Sequence, residues 1–592
     1  MAGSHRYREI MATRRMLTLI AVAVVATLAW PVAVPASSGA SPVAVSPRAT
    51  QEVWDTWPVT FYFGLKRSDA AATQQLLTLS NRANPQFRQW LSADQVASSF
   101  GASTSTQLGA SSWFQARGFT TAVDNTASFL LVTGQAQLWE SSFGQQLNAL
   151  PHDTTFDIPG TLIMWASTPP ALPGAVSQYL NSDELVWAYS TSQLLPEPSA
   201  SRGDVVTPYN QGTWGKKCRV ARNLGGKRGA YAFDQVAHAY GFPPVRRAAR
   251  SGEGITVGVI TPGSGVDEAS TRAAEKCWGW PQRSTRFVLA SGQTEPAPLD
   301  FDGFHEPSLD SQMIRGFLPK AQVVNYQTWV DQEHWFLALS ALATDTARPA
   351  VASLSYAYCL TAGISTSLFD ALTTRLGLMG TTILAASADD GAYPCAGKKP
   401  TVDWPASSTS VLGVGGTRLS LTRRNNRAAE VVWNDFQWLS ASNAGGATGG
   451  GFSANYRRPL WQKATGLSAG SKRAVPDVAA HASRLPGWPV VVQLGSRARW
   501  SRESGTSASA PLVAAELAAI NAVNVLRGSK PIGFVNPELY RLASKSRKYF
   551  FDVTSGNNGV PRVGPGYSAH RGFDPVTGLG VPKPAALLNG LR

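Results

Sequence analysis

Short apolar runs alternate with helical patterns over the C-terminal two-thirds of the chain. The runs are rich in β-branched residues and lie at 255–260, 321–326, 351–356, 381–386 and 411–414. Strands that alternate with helices indicate a parallel sheet, because each parallel crossover needs a covering helix. We therefore expect a doubly wound, mainly parallel α/β domain over 229–592, with functional residues at the C-terminal ends of its strands.

The preceding segment has a different pattern. Residues 60–65 and 128–133 alternate like strands, and 70–82 carry apolar side chains at helical spacing. This pattern predicts a smaller α+β unit over 50–196. Residues 197–228 are polar and rich in Gly, Pro, Lys and Arg, which predicts an exposed linker that contains a processing site.

The first 40 residues have the layout of a secretory signal peptide. Arg14 and Arg15 precede an apolar stretch over 17–30, and small residues follow. This stretch is short for a bilayer span, although an uncleaved membrane anchor is the alternative. We expect a signal peptide over 1–40, a secreted extracellular protein, and no stable membrane insertion after signal removal.

Four cysteines, an even number, occur in this presumed exported chain: Cys218, Cys277, Cys359 and Cys395. Two disulfides are therefore expected. Three connectivities are possible, and the sequence does not choose among them. We favour Cys359–Cys395 with Cys218–Cys277, because the segments around the first pair are expected to lie near each other.

The chain has 53 Lys and Arg against 38 Asp and Glu, a net charge of +15. At 43% hydrophobic residues, a disordered chain is excluded. The basic excess is typical of a polyanion-binding protein, which stays an alternative, but the basic linker lacks the interleaved aromatics of a nucleic-acid platform. Few carboxylates also suit a protein that works in acid. We expect no nucleic-acid partner.

Ser507 is the candidate nucleophile. It lies between Gly505-Thr506 and Ala508-Ser509-Ala510-Pro511, ahead of a small-residue helical run over 512–523. A helix N-terminus stabilises negative charge that develops next to it. The alternative interpretation is an ordinary serine cap.

The candidate base is a carboxylate, since none of the seven histidines has a subtilisin-like sequence context. Below about pH 5 histidine is protonated, whereas a carboxylate keeps a basic fraction. Pro307 suits a first helical turn, and the spacing of Glu306 and Asp310 predicts one helix face and one shared proton. An acidic helix start without a catalytic role is the alternative.

Asp389 is the candidate oxyanion donor. It follows the predicted strand 381–386. A protonated carboxyl can donate a hydrogen bond, whereas an ionised one cannot. Its neighbour Asp390 is expected to cap or to face solvent.

Taken in order, these motifs resemble the sedolisin family of serine-carboxyl peptidases, in its pro-kumamolisin-like full-length form. The likeness runs from about residue 55 to the C-terminus, since Asn84-Pro85-Gln86-Phe87-Arg88-Gln89-Trp90-Leu91 is similar to the family's propeptide. Other matching segments are Ser353-Leu354-Ser355-Tyr356, Trp404-Pro405-Ala406-Ser407-Ser408, Gly413-Val414-Gly415-Gly416-Thr417, Gly449-Gly450-Gly451-Phe452-Ser453 and Val475-Pro476-Asp477-Val478.

The resemblance implies a subtilisin-like core behind a ferredoxin-like prodomain that is removed by self-cleavage in acid. Ser507 would be the nucleophile, Glu306 the general base and acid, Asp310 its partner, and Asp389 the oxyanion stabiliser. The substrate would be a peptide or protein, with the propeptide as an intramolecular inhibitor. We expect a monomer, and endopeptidase and tripeptidyl-peptidase activity both stay open.

The resemblance also implies one structural Ca²⁺ near the C-terminus. Its ligands would be the carboxylates of Asp552 and Asp574 and the backbone carbonyls of Val553, His570 and Gly572, an all-oxygen set of the kind that calcium prefers. His570 departs from the family's usual glycine, as does Ala388 near the oxyanion site. A loop without metal is the alternative.

Two other function classes stay open at this point. One is a subtilisin-like peptidase with a histidine base, for which His305 is the candidate. The other is a secreted, catalytically silent binding protein on the same fold. All four candidate catalytic residues are present, which favours the enzyme.

Overall fold

The computed structural model describes residues 58–144, 147–151, 162–166, 171–189, 218 and 230–592, the last range with gaps at 263–265, 267, 291–304, 329–334, 361–365, 397–398, 438–444, 465, 468–469 and 495–496. The predicted signal peptide and, apart from Cys218, the predicted linker lie outside the described residues. The chain divides into two compact units, one of 1–66 with 102–201 and a larger one of 67–101 with 202–592.

The smaller unit is an antiparallel sheet with helices. Its strands are β1 (Pro58–Leu65), β2 (Thr120–Val123), β3 (Phe129–Gln135), β4 (Leu147–Pro151), β5 (Leu162–Ala166) and β6 (Leu180–Tyr189). Its helices are Thr104–Gln115, Ala136–Phe143 and Gly174–Ser177. The sheet order is β2-β3-β1-β6, and β4 pairs with β5 in a separate hairpin. This order, with helical crossovers after β1 and after β3, is the expected ferredoxin-like arrangement.

The inward-facing side chains of β1 form part of the hydrophobic core of the smaller unit. Val59, Phe61, Phe63 and Leu65 are buried together, because successive strand residues point to opposite faces. The Trp139 ring lies 4.1 Å from the Phe61 ring, centroid to centroid. Its Nε1 donates to the Val59 carbonyl, which satisfies the polar end of the buried indole.

The larger unit contains a mainly parallel sheet. The strands of the larger unit are β7 (Thr256–Pro262), β8 (Arg286–Leu289), β9 (Gln322–Thr328), β10 (Val351–Leu354), β11 (Thr382–Ala386), β12 (Leu412–Leu421), β13 (Arg427–Val432), β14 (Gly451–Arg457), β15 (Lys472–Val475), β16 (Val478–His481), β17 (Trp488–Leu494), β18 (Arg497–Glu503), β19 (Phe550–Phe551) and β20 (Val581–Pro582). The mainly parallel sheet consists of β7 to β13 and β16, and the other strands form the separate pairs β14-β15, β17-β18 and β19-β20. The order is β13-β12-β11-β10-β7-β9-β8, and β16 also pairs with β12. Only the β12–β13 pair in this sheet is antiparallel among the described strands.

Helices accompany this sheet in the larger unit. They are Asp69–Ser80, Ala93–Phe100, Phe233–Ala239, Pro243–Ala248, Glu268–Trp278, His305–Phe317, Trp335–Thr344, Ser367–Leu378, Thr506–Leu526, Asn536–Lys545 and Pro584–Gly590. We call His305–Phe317 the carboxylate helix and Thr506–Leu526 the serine helix. The two pack against each other.

The serine helix is the apolar centre of the unit. Among the described helices, it alone is long and apolar enough to cross a membrane, yet 83% of its most apolar 18-residue window is buried within the fold. A helix that is apolar on all sides belongs either in a membrane or in a protein core. Its burial identifies it as a core helix.

The predicted strands and disulfides agree with the structure. Each of the five predicted apolar runs overlaps a strand, and β7, β9 and β12 extend beyond their predicted runs. Both favoured disulfides are confirmed, Cys218–Cys277 and Cys359–Cys395. Cys218, inside the predicted linker, is 1% exposed.

Residues 67–101 pack with the larger unit. Arg375, fully shielded from solvent, pairs with Asp69 at 2.8 Å. Trp90 donates from Nε1 to the Pro531 carbonyl, and a Cβ on Gly533 would lie 2.1 Å from its ring. Position 533 therefore requires glycine. The sequence pattern had grouped this segment with the propeptide.

Candidate active site

The carboxylate helix holds Glu306 and Asp310 one turn apart. Leu309, Met313 and Phe317 anchor one of its faces in the hydrophobic core. Asp310 is fully buried, whereas Glu306 is half-buried. The structure therefore brings the two carboxyls to one end of a rigidly packed helix, as the sequence spacing predicts.

A second anchor fixes this helix from the side. The Gln312 amide donates to the Val491 carbonyl at 2.6 Å and accepts from the Val491 N–H at 2.9 Å. This pair of hydrogen bonds ties the carboxylate helix to β17. Apolar packing and these hydrogen bonds together therefore fix the position of the two carboxyls.

Burial dominates the electrostatics of the pair. It raises the pKa of Glu306 well above its ordinary value, the charge of Asp310 raises it further, and hydrogen bonding to Ser507 opposes the rise. Burial likewise raises the pKa of Asp310, against a hydrogen bond from Ser355. Two such close carboxyls cannot both ionise freely, so they share a proton over a range of pH.

Ser507 is the second residue of the serine helix. Gly505 precedes it with a φ of 108°, and a Cβ at position 505 would lie 2.5 Å from Asp389 Oδ2. Only glycine allows both this conformation and this close approach. The Ser507 hydroxyl donates to the Ser355 carbonyl at 3.2 Å. The nucleophile candidate, the carboxyl pair and Asp389 therefore meet at the start of one helix.

Asp389 lies beyond the C-terminal end of β11. Its Oδ1 accepts hydrogen bonds from the Thr506 N–H at 2.8 Å and from the Thr506 hydroxyl at 2.9 Å. Because Oδ1 is held as an acceptor, a proton on this carboxyl belongs on Oδ2, on the side of Gly505. Asp390 is exposed, in agreement with its expected solvent-facing position.

The backbone before Asp389 is strained. Ala388 adopts a φ of 80°, a region that costs a non-glycine residue about 1–3 kcal/mol. Hydrogen bonds to a neighbouring segment hold it, from the Gly449 N–H to the Ala388 carbonyl at 2.7 Å and from the Ala447 N–H to the Asp389 carbonyl at 2.8 Å. These hydrogen bonds therefore hold Ala388 in a backbone conformation that glycine adopts more readily.

Two functional contacts were not predicted from the sequence. The sequence indicates Ser355 only as part of the matching segment Ser353-Leu354-Ser355-Tyr356, yet its hydroxyl donates to Asp310 Oδ1 at 2.6 Å. The motif around Ser507 includes Thr506 but does not predict that Thr506 hydrogen-bonds Asp389. The place of Thr506 beside Ser507 is the one signal that could have pointed to it.

Described histidine side chains do not support a histidine base. His481 is buried, which lowers its pKa to about 3, and its Nδ1 accepts from the Leu419 N–H. His238 is exposed and contacts Asn426. Neither ring hydrogen-bonds Ser507. The side chain of His305 lies outside the described residues.

The predicted calcium ligands lie in two C-terminal segments, and two pairs of them are joined by hydrogen bonds. The Gly572 N–H donates to the Asp552 carboxylate at 3.0 Å, and the His570 N–H donates to Asp574 Oδ2 at 3.3 Å. Asp574 is fully buried, and burial raises its pKa to about 6. Across the described ranges, no three His, Cys, Asp or Glu side chains gather as a metal cluster. The predicted set contains only two such side chains, Asp552 and Asp574, and three backbone carbonyls.

Comparisons with known proteins match both parts of the chain. The family model "Pro-kumamolisin, activation domain" matches residues 49–182, and the model "Subtilase family" matches 288–526. Kumamolisin of Bacillus sp. (strain MN-32) is 33% identical over 389 residues, which cover 63% of this chain and 65% of that protein. Tripeptidyl-peptidase 1 of Macaca fascicularis is 32% identical over 321 residues, 48% of this chain and 51% of that protein.

A solved structure extends the likeness to three dimensions. Pseudomonas sedolisin, described as a serine-carboxyl proteinase in complex with pseudo-iodotyrostatin, superposes with a TM-score of 0.54 at 26% identity, covering 62% of this chain and 99% of that one. Among the curated relatives, sedolisin of Pseudomonas sp. (strain 101) matches over 34% of this chain and 33% of its own length. The chain thus spans less than two thirds of the curated relatives described here.

The family matches follow the order that the motifs predict. The activation-domain match covers β1 to β5 and the start of β6, and the subtilase match covers β9 to β18, the carboxylate helix and the serine helix. The chain thus matches a pro-kumamolisin-type activation domain ahead of a subtilase-type peptidase domain, and it is similar to kumamolisin and to sedolisin.

Proposed function

We propose that this protein is a serine-carboxyl peptidase that hydrolyses peptide bonds in acid through an acyl-enzyme on Ser507. One observation carries the proposal: the Ser507 hydroxyl, the buried Glu306–Asp310 pair and Asp389 lie together at the start of the serine helix. A nucleophile next to a base with its own partner is the arrangement that covalent catalysis needs.

In the first step, Ser507 Oγ attacks the carbonyl carbon of the scissile peptide bond. Its proton passes to Glu306, and Asp310 holds Glu306 and shares its proton. In the structure the Ser507 hydroxyl donates to the Ser355 carbonyl, so it must turn toward Glu306, whose pKa the nearby hydroxyl lowers, before this transfer. A C–O bond forms between Ser507 Oγ and the carbonyl carbon, and the carbonyl oxygen becomes an oxyanion.

The oxyanion accepts a hydrogen bond from protonated Asp389 and one from a backbone N–H near Ser507. Thr506 occupies Oδ1 of Asp389, which leaves Oδ2 to carry the donated hydrogen. Donors fixed in advance stabilise developing charge most effectively. Glu306 then protonates the leaving amine as the C–N bond breaks, and water repeats the cycle on the acyl-enzyme.

This mechanism requires acid. Asp389 must stay neutral to donate, while the Glu306–Asp310 pair must have lost one proton to act as a base. Because burial raises the pKa of Glu306, the base form appears at higher pH than for an exposed carboxyl. A bell-shaped pH profile follows.

The protein is made as a secreted zymogen in this proposal. Its activation domain, proposed over 50–196, would inhibit the peptidase domain over 229–592 until the linker over 197–228 is cut. The apolar N-terminal stretch, the two disulfides and the match to an activation domain support this.

We also propose one structural Ca²⁺ near the C-terminus. Within the described structure no cationic side chain pairs with the buried Asp574, whereas Arg547 forms a long ion pair with Asp552, at 3.8 Å. Asp552 and Asp574 would hold the ion together with the carbonyls of Val553, His570 and Gly572. A bound ion would place positive charge next to the buried Asp574 carboxylate and would link the two chain segments that carry the ligands.

The test is self-processing of the purified zymogen in acid. The parent protein is expected to lose its activation domain and then cleave a mixed peptide library, whereas Ser507→Ala does neither. Ser509→Ala, which removes a nearby hydroxyl bonded only to the Ala480 carbonyl, is the control and keeps both activities. Processing and cleavage by Ser507→Ala would refute the proposal.

A further inference from the structure

Ser355 occupies a central and rigid place in the larger unit. It directly follows β10, which pairs in parallel with β11 on one side and β7 on the other. The residue is 6% exposed. The two neighbouring strands therefore fix the backbone at Ser355, and this backbone orients its hydroxyl and its carbonyl.

Both polar groups of Ser355 reach the candidate catalytic residues. Its hydroxyl lies 2.6 Å from Asp310 Oδ1 and 3.4 Å from the Ser507 carbonyl. A hydroxyl has one proton to donate, and the much shorter contact with the carboxylate takes it. Its own carbonyl accepts from the Ser507 hydroxyl at 3.2 Å. One residue thus touches both ends of the proton path.

We propose that Ser355 is a positioning residue that fixes Asp310 by hydrogen bonding and thereby sets the pH at which the Glu306–Asp310 pair becomes a base. This inference rests on the proposed peptidase function and deepens it.

The neighbouring carboxylates disfavour ionisation of the Glu306–Asp310 pair, so a hydrogen bond that favours ionisation has a large effect. The titratable groups that act on the pair are further carboxylates, Asp389 and Glu503, and each raises the pKa of Glu306. The Ser355 hydroxyl acts in the opposite direction, because its hydrogen bond lowers the pKa of Asp310. It therefore favours ionisation of the pair and makes the first proton of the pair easier to lose.

Removing the hydroxyl should therefore move the acid limb of the kcat/KM profile. In Ser355→Ala we expect this limb to shift to higher pH by about one unit, since one hydrogen bond to an ionised group corresponds to roughly that change. The alkaline limb should stay in place. Ser355→Thr keeps the hydroxyl and is expected to restore the parent limb.

Ser509→Ala is the matched control, because it removes a buried serine hydroxyl that does not contact the pair. An acid limb in Ser355→Ala at the parent position, with only a uniform loss of kcat/KM, would overturn the inference. If Ser355→Ala does not fold, Ser355→Cys replaces it. Its thiol is a weaker donor and should shift the limb in the same direction, and no shift overturns the inference equally.

The outcome separates this inference from the proposed function. A parent protein without peptide hydrolysis in acid would refute the peptidase proposal itself. A parent protein with a bell-shaped profile, combined with an unmoved limb in Ser355→Ala, would refute only the role of Ser355.

Discussion

Replacing Asp389 tests the oxyanion donor directly. Asparagine has the shape of aspartate, so its oxygen can accept from the N–H and the hydroxyl of Thr506, as Oδ1 does now at 2.8 and 2.9 Å. Its amide nitrogen then takes the place of Oδ2, beside Gly505. An amide donates at every pH, whereas a carboxyl donates only when protonated.

The expected magnitudes follow from these contacts. Asp389→Ala removes the oxyanion donor, for which the loss in kcat is roughly 10²–10³-fold. It also leaves the N–H and the hydroxyl of Thr506 without their acceptor, at a cost of roughly 1–3 kcal/mol in the free energy of unfolding. Asp389→Asn keeps both contacts and one donor, so its loss in kcat should be far smaller and its unfolding free energy close to that of the parent.

The assay is kcat/KM for one peptide substrate as a function of pH, with thermal unfolding measured on the same samples. We expect the alkaline limb of Asp389→Asn to lie at higher pH than that of the parent, because the donor no longer ionises, while the acid limb stays unchanged. An unmoved alkaline limb, or a loss in Asp389→Asn as large as in Asp389→Ala, would refute the assigned role.

Three further results are expected, the first two measured by thermal unfolding of the inactive Ser507→Ala protein. Calcium at about a hundredfold its dissociation constant should raise the free energy of unfolding by roughly 2.7 kcal/mol over a chelated sample, and Asp552→Asn should abolish this response. Glu516→Gln should stabilise the protein at neutral pH but not in acid. Both Glu516 carboxyl oxygens are buried without a hydrogen-bond partner and burial raises its pKa, so the parent loses stability as pH rises above the unfolded-state value of about 4.3. N-terminal sequencing should find the mature chain beginning on the amino side of Cys218, because a cut between Cys218 and Cys277 would leave the activation domain attached by their disulfide.

Each of these results has a clear opposite. A calcium response that survives in Asp552→Asn would remove that residue from the proposed site. Equal gains from Glu516→Gln in acid and at neutral pH would contradict a titrating buried carboxyl. An activation domain that separates from the catalytic chain only after reduction would contradict the expected processing position.

The sequence predicts most of the geometry of the candidate site because the parts of that site are local. The spacing of Glu306 and Asp310 is a property of one helix, and Ser507 follows from a motif at the start of another. Strand ends in a parallel sheet meet at one edge, which brings Asp389 near them without knowledge of the detailed packing.

Contacts between distant segments could not be derived in this way. The bond from Ser355 to Asp310 depends on the height of β10 relative to the carboxylate helix, which no periodicity encodes. Residues 67–101 likewise pack with the larger unit because Trp90 fits against Gly533 and Asp69 against Arg375. Hydrophobic patterns identify a helix face but do not identify the surface that covers it.

The central claim is that a carboxylate rather than a histidine activates Ser507. Its most direct test is the pH profile of kcat/KM for the parent and for Glu306→Gln, with folding checked by thermal unfolding. General acid–base catalysis contributes roughly 10²–10⁴-fold, so we expect a bell centred in acid for the parent and a loss of that size across the bell in Glu306→Gln. Parent activity that rises toward neutral pH and persists in Glu306→Gln would contradict the account.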